Sequence, residues 1–232
     1  SKPAVSKPSI NAVKLYFANI SSFSDHAKEF FKKKMFRKQA VALNETKAVK
    51  PAVICSFFKK IGHTTVANPA IQTSDTGAHG GEVMSVPQHW NTMPIPEDFI
   101  EVVHKSTSTP ASFAARIVNL RGRCVLFATL YLTVSEGTSD GNYNKLAQVL
   151  MLKMLLGLPL FLVGDFNNTP EQLDKAGWLK QFKLTVVRPQ HATRSHSQRG
   201  ARLVDFGLTT DNLHLAIDSA QQKKRVPWEP HY

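Results

Sequence analysis

The chain has 232 residues, of which 42% are hydrophobic, and its formal net charge is +12. This length suffices for one full hydrophobic core, so we expect a single domain over residues 11–232, after a flexible basic leader at residues 1–10. The longest apolar stretch, 149–163, is interrupted by a lysine, a glycine and a proline and does not predict a membrane span. The only two cysteines, Cys55 and Cys124, exclude a disulfide framework.

The positive charge is concentrated near the start of the chain. Residues 1–60 contain 13 Lys or Arg but only three acidic residues, Asp25, Glu29 and Glu45. An excess of this kind favours a polyanionic partner, most often nucleic acid. A solvated basic face, or adhesion to another acidic surface of protein or lipid, is the alternative that charge alone leaves open. With two thiols and no bridges, the compartment we expect is intracellular, in the nucleus or an organelle.

The first half of the chain predicts mostly short strands. Apolar runs at 13–18 and 40–43 predict strands that end in polar residues, and a helix is predicted between them. The run 52–58 predicts a further strand. Later runs with strand character are 83–86, 99–103, 116–120 and 124–132.

The second half contains the clearest helix. Residues 142–156 carry apolar side chains at helical spacing, and Gly157 is suited to end that helix. Beyond it, short apolar runs predict strands at 160–163, 184–187, 203–208 and 214–219. Helices and hairpins both connect the predicted strands, so the sheets are expected to be mixed.

The stretch from Pro159 to Pro170 combines a buried strand with polar residues at its end. The apolar run 160–163 leads into Gly164, Asp165 and Asn167. Open α/β sheets bind ligands at the carboxyl ends of their strands, so a carboxylate and a carboxamide here point to a metal- and phosphate-handling site. Turn formation alone is the other interpretation of these two residues.

Seven short motifs occur in a fixed order along the chain. They are Ala18-Asn19-Ile20, Leu43-Asn44-Glu45-Thr46, Gly80-Gly81, Leu130-Tyr131-Leu132, Gly164-Asp165-Phe166-Asn167, Arg202-Leu203-Val204-Asp205 and Pro230-His231. In this order they resemble the endonuclease/exonuclease/phosphatase superfamily, which includes abasic-site and retrotransposon endonucleases. The resemblance implies an α/β fold in which two mixed β-sheets pack face to face with helices outside, a four-layer sandwich.

The resemblance also implies roles for individual residues in phosphodiester hydrolysis. Glu45, supported by Asn19, would bind Mg²⁺ or Mn²⁺. Asp165 would orient or deprotonate the attacking water, and Asn167 and Tyr131 would bind the phosphate. Asp205 would lie beside His231, the expected general base or phosphate ligand. Arg194, Arg199 and Arg202, in a basic segment between two predicted strands, would contact a nucleic-acid backbone.

Two positions depart from the superfamily pattern. Asn44 stands where the family has Gln, and Pro230 stands where it has the Asp before the histidine. Proline offers neither a carboxylate nor a backbone N–H. The sequence therefore predicts a metal-dependent nuclease, with a catalytically degenerate binding or scaffolding subunit of a larger assembly as the main alternative. A phosphatase acting on small phosphorylated molecules is the third candidate.

Overall fold

A computed structural model of the protein describes residues 12–74, 77–107, 112–189, 194–196, 200–221 and 226. The expected leader at residues 1–10 lies outside these ranges. The strands are β1 (Leu15–Asn19), β2 (Ala40–Asn44), β3 (His63–Ala67), β4 (Ile71–Gln72), β5 (Ala78–His79), β6 (Val83–Pro87), β7 (Thr92–Met93), β8 (Phe113–Leu120), β9 (Arg123–Tyr131), β10 (Leu160–Asp165), β11 (Thr185–Val187), β12 (Arg194–His196), β13 (Gly200–Arg202) and β14 (Asp205–Thr209).

Within the described ranges, six α-helices and two short 3-10 helices accompany the strands. The α-helices are α1 (Asp25–Phe31), α2 (Pro51–Lys60), α3 (Glu97–Ser106), α4 (Asp140–Leu156), α5 (Pro170–Lys175) and α6 (Trp178–Gln181). The 3-10 helices are Lys34–Lys38 and Leu213–Ala216. No helix in the described ranges is both long and apolar enough to cross a membrane.

The strands form two principal sheets and two small hairpins. The first sheet has the order β1-β2-β6-β3 and the second the order β11-β14-β10-β9-β8-β7. β1 is parallel to β2, and β9 is parallel to β10, whereas the other pairs in both sheets are antiparallel. Both sheets are therefore mixed, as the sequence predicts.

The two sheets pack face to face and each is covered by helices on its outer side. The core between the sheets includes Ala42, Met84, Phe127 and Val163. The outer core of the first sheet includes Phe31, Phe36, Leu43 and Phe58. The outer core of the second sheet includes Leu126, Leu146, Val149 and Leu162. The predicted four-layer α/β sandwich is confirmed.

Three predicted strands are wrong. Residues 52–58 belong to α2 and residues 99–103 to α3, while 214–219 overlaps the second 3-10 helix. In α2, Pro51 occupies the first turn and Ile54 and Phe58 form one buried face at a spacing of four residues. The β-branched and aromatic residues beside them are typical of a strand. Proline in the first turn and the four-residue spacing of the buried side chains favour a helix instead.

The ends of the parallel strands define two ends of the molecule. One end of the molecule contains the final residues of β1, β2, β9 and β10. Side-chain hydrogen bonds between the two sheets join the strands there. The same four strands begin at the opposite end. The polar residues of the motifs lie where these four strands finish. The carboxyl ends of parallel strands form a common edge at which a ligand can bind.

Candidate active site

Tyr131, Asp165 and Asp205 form a row across three adjacent strands. Asp165 ends β10 and is the cross-strand partner of Tyr131 on β9 and of Asp205 on β14. Residues directly opposite each other in a sheet project from the same face. Val163, two residues before Asp165, faces the core between the sheets, so the row also faces the first sheet.

Two asparagines on the first sheet face this row and join the sheets. Asn19 and Asn44 are cross-strand partners at the ends of β1 and β2. Asn19 Nδ2 donates a hydrogen bond to Asp165 Oδ2 at 2.8 Å. Asn44 Nδ2 donates to the Leu130 carbonyl at 2.6 Å, and Asn44 Oδ1 accepts from Thr129 Oγ1 at 2.8 Å. The site is therefore built on a polar seam between two sheets.

Asp165 is held in one orientation by its contacts. The side chain is only 1% exposed, and its second oxygen, Oδ1, accepts a hydrogen bond from the Asn167 backbone N–H at 3.0 Å. Asn167 has φ +49°, a left-handed conformation that asparagine tolerates well. Its Nδ2 donates to the Leu132 carbonyl at 2.7 Å. The turn after β10 thus fixes both predicted residues of this motif.

Glu45 lies in a second tight turn, directly after β2. Its φ is +57°, and its Oε1 accepts a hydrogen bond from the Gly80 N–H at 3.3 Å. The flanking backbone bonds run from Thr46 N to Gly81 O and from Lys47 N to Gly80 O. Gly81 has φ +89°, and a Cβ there would collide with the Thr46 hydroxyl. Glycine is therefore required at position 81 for this close approach, whereas Gly80 is favoured by its φ of +74° alone.

Tyr131 links Glu45 to the Asp165 row. Burial raises the pKa of the Tyr131 hydroxyl well above its ordinary value. The charge of Glu45, a hydrogen bond with Glu45 and the charge of Asp165 raise this pKa further, whereas a hydrogen bond with Asn167 lowers it. The phenol therefore stays protonated and remains a hydrogen-bond donor beside two carboxylates.

Glu82 is a buried carboxylic acid of this site that the sequence reasoning missed. It is 3% exposed and follows the glycine pair that contacts Glu45. Burial raises its pKa to about 8, the charge of Lys145 opposes this rise, and the charge of Glu45 adds to it. Alternation along β6 was the available signal, because Glu82 has the parity of Met84 and Val86, which face the second sheet.

The remaining predicted residues are placed only in part. His231 and Arg199 lie outside the described residues, as does Pro230. Arg194 belongs to β12, and Arg202 ends β13, its hairpin partner. The Arg202 side chain is exposed, and its Nη2 donates to Gln172 Oε1 at 3.0 Å, beside the start of α5. The nucleic-acid roles of these arginines stay predictions.

The polar residues suit a hard divalent cation that takes only one or two carboxylate ligands from the protein. Within the described ranges, no group of three or more His, Cys, Asp or Glu side chains is close enough to hold a metal ion. Magnesium usually takes only one or two carboxylates and completes its shell with water and substrate phosphate oxygens. The oxygen donors of Glu45 and Asn19 fit that requirement, and they do not suit a softer metal that needs several His or Cys ligands.

Comparisons with known proteins identify the fold. No protein-family model matches the sequence, and no curated protein sequence matches it either. Among solved structures, the endonuclease domain of TRAS1, a telomere-specific non-LTR retrotransposon, superposes with a TM-score of 0.59 at 13% identity, over 87% of this chain and 86% of that one. The human Nocturnin catalytic domain, with bound sulfate, gives 0.58 at 13% identity, over 86% and 82%.

A bacterial structure gives a similar result. The 3'-5' exonuclease NExo from Neisseria meningitidis superposes with a TM-score of 0.57 at 14% identity, over 89% of this chain and 90% of that one. All three have endonuclease/exonuclease/phosphatase-type folds. The chain therefore has the fold of this superfamily, as its ordered motifs predict.

Proposed function

We propose that the protein hydrolyses phosphodiester bonds in nucleic acid in a metal-dependent reaction. The observation that carries this proposal is the hydrogen bond between Asn19 and Asp165, which joins the ends of two sheets. Around it lie Glu45 and Tyr131, from motifs more than eighty positions apart in the sequence. A polar cluster assembled from such distant strands, with two carboxylic acids almost fully buried, costs folding free energy and is typical of a functional site.

Asp165 is the residue that we assign to the attacking water. Both of its oxygens accept hydrogen bonds, from Asn19 and from the Asn167 backbone, so the carboxylate is fixed before a substrate arrives. A preoriented carboxylate can align a water molecule and accept its proton as the water attacks phosphorus.

Tyr131 and Asn167 are the residues that we assign to the phosphate. The raised pKa keeps the Tyr131 hydroxyl protonated, so it can donate a hydrogen bond to a non-bridging phosphate oxygen. Asn167 lies against the same hydroxyl and presents its carboxamide at the same edge. Donors held in place before the reaction stabilise charge that develops on the phosphate.

Glu45, with Asn19, would hold a Mg²⁺ or Mn²⁺ ion. Such an ion, when bound, neutralises charge on the phosphate and favours the attack of an oxygen nucleophile. The Gly80 N–H holds Glu45 Oε1 at the edge of the site. The second oxygen of Glu45 is the one that we assign to the ion.

Nucleic acid is the substrate class that the charge favours. The net charge of +12 suits a polyphosphate better than a small phosphomonoester. Two of the similar structures, from TRAS1 and NExo, are described as an endonuclease domain and a 3'-5' exonuclease. Their descriptions support a polymer substrate for this chain as well.

The test is cleavage of end-labelled DNA and RNA by the purified protein with Mg²⁺ or Mn²⁺. We expect cleavage that EDTA abolishes and that Asp165→Asn or Glu45→Gln each reduces by roughly 10²-fold or more. Both substitutions preserve side-chain size, and circular dichroism checks the fold. Asp98→Asn, an exposed acid in the first turn of α3, is the matched control and should cleave like the wild type.

A specific observation favours a second candidate, a binding or scaffolding subunit. Pro230 removes a carboxylate that the superfamily places before the histidine. If the wild type cleaves neither DNA nor RNA with either metal, the nuclease proposal is wrong. Tight binding to nucleic acid or to an acidic protein without cleavage would then support the second candidate.

A further inference from the structure

Six cationic side chains lie at the end of the sheets opposite the candidate active site. They are Lys14, Arg37, Lys38, Lys59, Lys60 and Arg123, and we call this surface the basic end. Lys14 directly precedes β1, and its carbonyl accepts a hydrogen bond from Ala40 N, at the start of β2, at 2.9 Å. Both strands run from this point toward the site. Lys14 is therefore about five residues of strand, roughly 17 Å, from Asn19.

The other five cations are fixed at the same end by the surrounding elements. Arg37 and Lys38 belong to the 3-10 helix before β2. That helix is tied to the start of β3 by His63 Nε2, which lies 2.8 Å from the Phe36 carbonyl oxygen. Lys59 and Lys60 end α2 immediately before β3. Arg123 begins β9, whose last residue is in the site.

The four segments that carry these six cations contain no acidic residues. Segments 14–15, 34–41, 58–64 and 119–125 contain no Asp or Glu, and they contain two further cations, Lys34 and Arg121. Asp211, near the start of β10, is an acid at the same end, and it pairs with Lys153. All six cations are exposed. None of them forms an ion pair within the described part of the chain, although five other Lys or Arg residues do so there. The positive potential of this surface is therefore open to a partner.

We propose that the basic end binds a segment of nucleic-acid backbone that lies apart from the bond being cleaved. Unpaired cations spread over several elements suit a regular row of phosphates, where released counterions drive binding. A protein interface needs an apolar core, and among the described residues the large apolar side chains exposed within these segments, or next to them in the sequence, are Val13 and Met35. Charge complementarity therefore favours a nucleic acid over an acidic protein.

This inference goes beyond the proposed function because it concerns binding and does not require hydrolysis. A short oligonucleotide at the site would not extend across roughly 17 Å of strand to the basic end. A long single strand is flexible enough to contact both ends, whereas a stiff duplex would bind at the basic end without reaching the site. The basic end should therefore raise affinity for long substrates and leave the chemistry on short ones unchanged.

The experiment compares two triple variants with the same change in net charge. Arg37→Gln/Lys38→Gln/Lys60→Gln neutralises half of the basic end. Lys105→Gln/Lys175→Gln/Lys180→Gln neutralises three exposed lysines on α3, α5 and α6 as the control. Binding to a fluorescent duplex of about 30 base pairs, and to single-stranded RNA of the same length, is measured in EDTA over a range of salt concentrations.

We expect the basic-end variant to bind at least about tenfold more weakly and to reduce the salt slope of log K by about two to three, since each lost phosphate contact removes roughly 0.7 to 0.9. The control variant should bind like the wild type. Equal affinities and slopes for both variants would overturn the proposal, as would wild-type binding to anionic phosphatidylserine vesicles but not to either nucleic acid.

Cleavage of an oligonucleotide of about four nucleotides, measured with Mg²⁺, separates this inference from the proposed function. The basic-end variant should cleave it as the wild type does. If the wild type binds the long probes through the basic end but cleaves nothing, the inference stands and the proposed function fails. If the basic-end variant loses cleavage of the short oligonucleotide in proportion to its loss of affinity, the basic end is not a separate surface.

Discussion

The two ends of the same pair of sheets differ in how far their ionisable side chains are exposed to solvent. The site end buries two acidic side chains, with Glu82 and Asp165 at 3% and 1% exposure. The basic end leaves its cations in solvent and buries only one titratable group, His63, at 1% exposure. Buried charge costs folding free energy, whereas solvated charge does not. Burial of ionisable groups at the site end therefore costs stability, whereas the solvated cations of the basic end cost little.

The two buried groups, Glu82 and His63, allow the two ends to be compared by experiment. Their pKa shifts change the free energy of unfolding with pH in opposite directions. Burial raises the pKa of the Glu82 carboxyl and lowers the pKa of the His63 imidazole. Each group is thus kept neutral when folded. Lowering the pH favours the folded state through Glu82 and disfavours it through His63.

The largest effect is expected for Glu82→Gln, measured in EDTA. The Glu82 pKa rises from 4.5 to about 8, so between these values the folded protein holds a proton that the unfolded chain has released. The wild type must therefore lose stability as pH rises through this window, and a neutral glutamine does not. At about 1.4 kcal/mol for each pKa unit, the variant should gain up to roughly 5 kcal/mol over the wild type by pH 9.

Urea denaturation at several pH values measures this gain. Glu101→Gln, an exposed acid on α3, is the control and should show a small difference from the wild type that does not change with pH. A Glu82→Gln gain that is the same at pH 5 and pH 9 would show that the carboxyl is not held neutral by the fold.

A smaller loss is expected for Asn44→Ala, which breaks the polar seam between the sheets. The change removes the Nδ2 group that donates to the Leu130 carbonyl and the Oδ1 atom that accepts a hydrogen bond from Thr129 Oγ1. Both hydrogen bonds are buried. The loss of two buried hydrogen bonds, with the space left by the side chain, should cost roughly 2–4 kcal/mol of unfolding free energy. Asn91→Ala, at an exposed position, should change it by less than about 0.5 kcal/mol. Equal losses in the two variants would mean that the seam does not hold the sheets together.

The sequence predicts the local features of the site end well. The strand before Asp165, its turn and the capping box of Thr169 and Gln172 at the start of α5 all occur as expected. These features depend on neighbours in the chain, which turn and capping chemistry describe. The ordered motifs also predict the fold and bring Asn19, Glu45, Tyr131, Asp165 and Asp205 to one end.

Features that depend on contact between the sheets could not be predicted. Asn44 bonds to Leu130, 86 residues away, and no local pattern encodes that pairing. The environment of Glu82 likewise depends on which face of β6 meets the second sheet. The strand predicted for residues 52–58 is wrong because this run is rich in β-branched and aromatic residues, which are typical of strands. Its helical spacing has an effect only when α2 packs on the first sheet.

The smallest effect is expected at the basic end, for His63→Gln. His63 Nδ1 lies 3.0 Å from Ser85 Oγ, and Nε2 lies 2.8 Å from the Phe36 carbonyl oxygen. Burial lowers the pKa of His63, the Phe36 hydrogen bond opposes this, and the charge of His89 lowers it further. Below its ordinary pKa of 6.5, the unfolded chain takes up a proton that the folded protein excludes.

The His63 contribution to stability is thus complete above pH 6.5 and is lost as pH falls from 6.5 toward the lowered pKa. His63→Gln should be less stable than the wild type at pH 7.5, because it loses ring packing against Phe58. The gap should narrow as the pH falls below 6.5, because only the wild type then loses the His63 contribution. Glu82 contributes equally to both proteins and cancels from the difference. A gap that stays constant across this range would show that the fold does not lower the pKa of His63, and the contrast between the two ends would then fail.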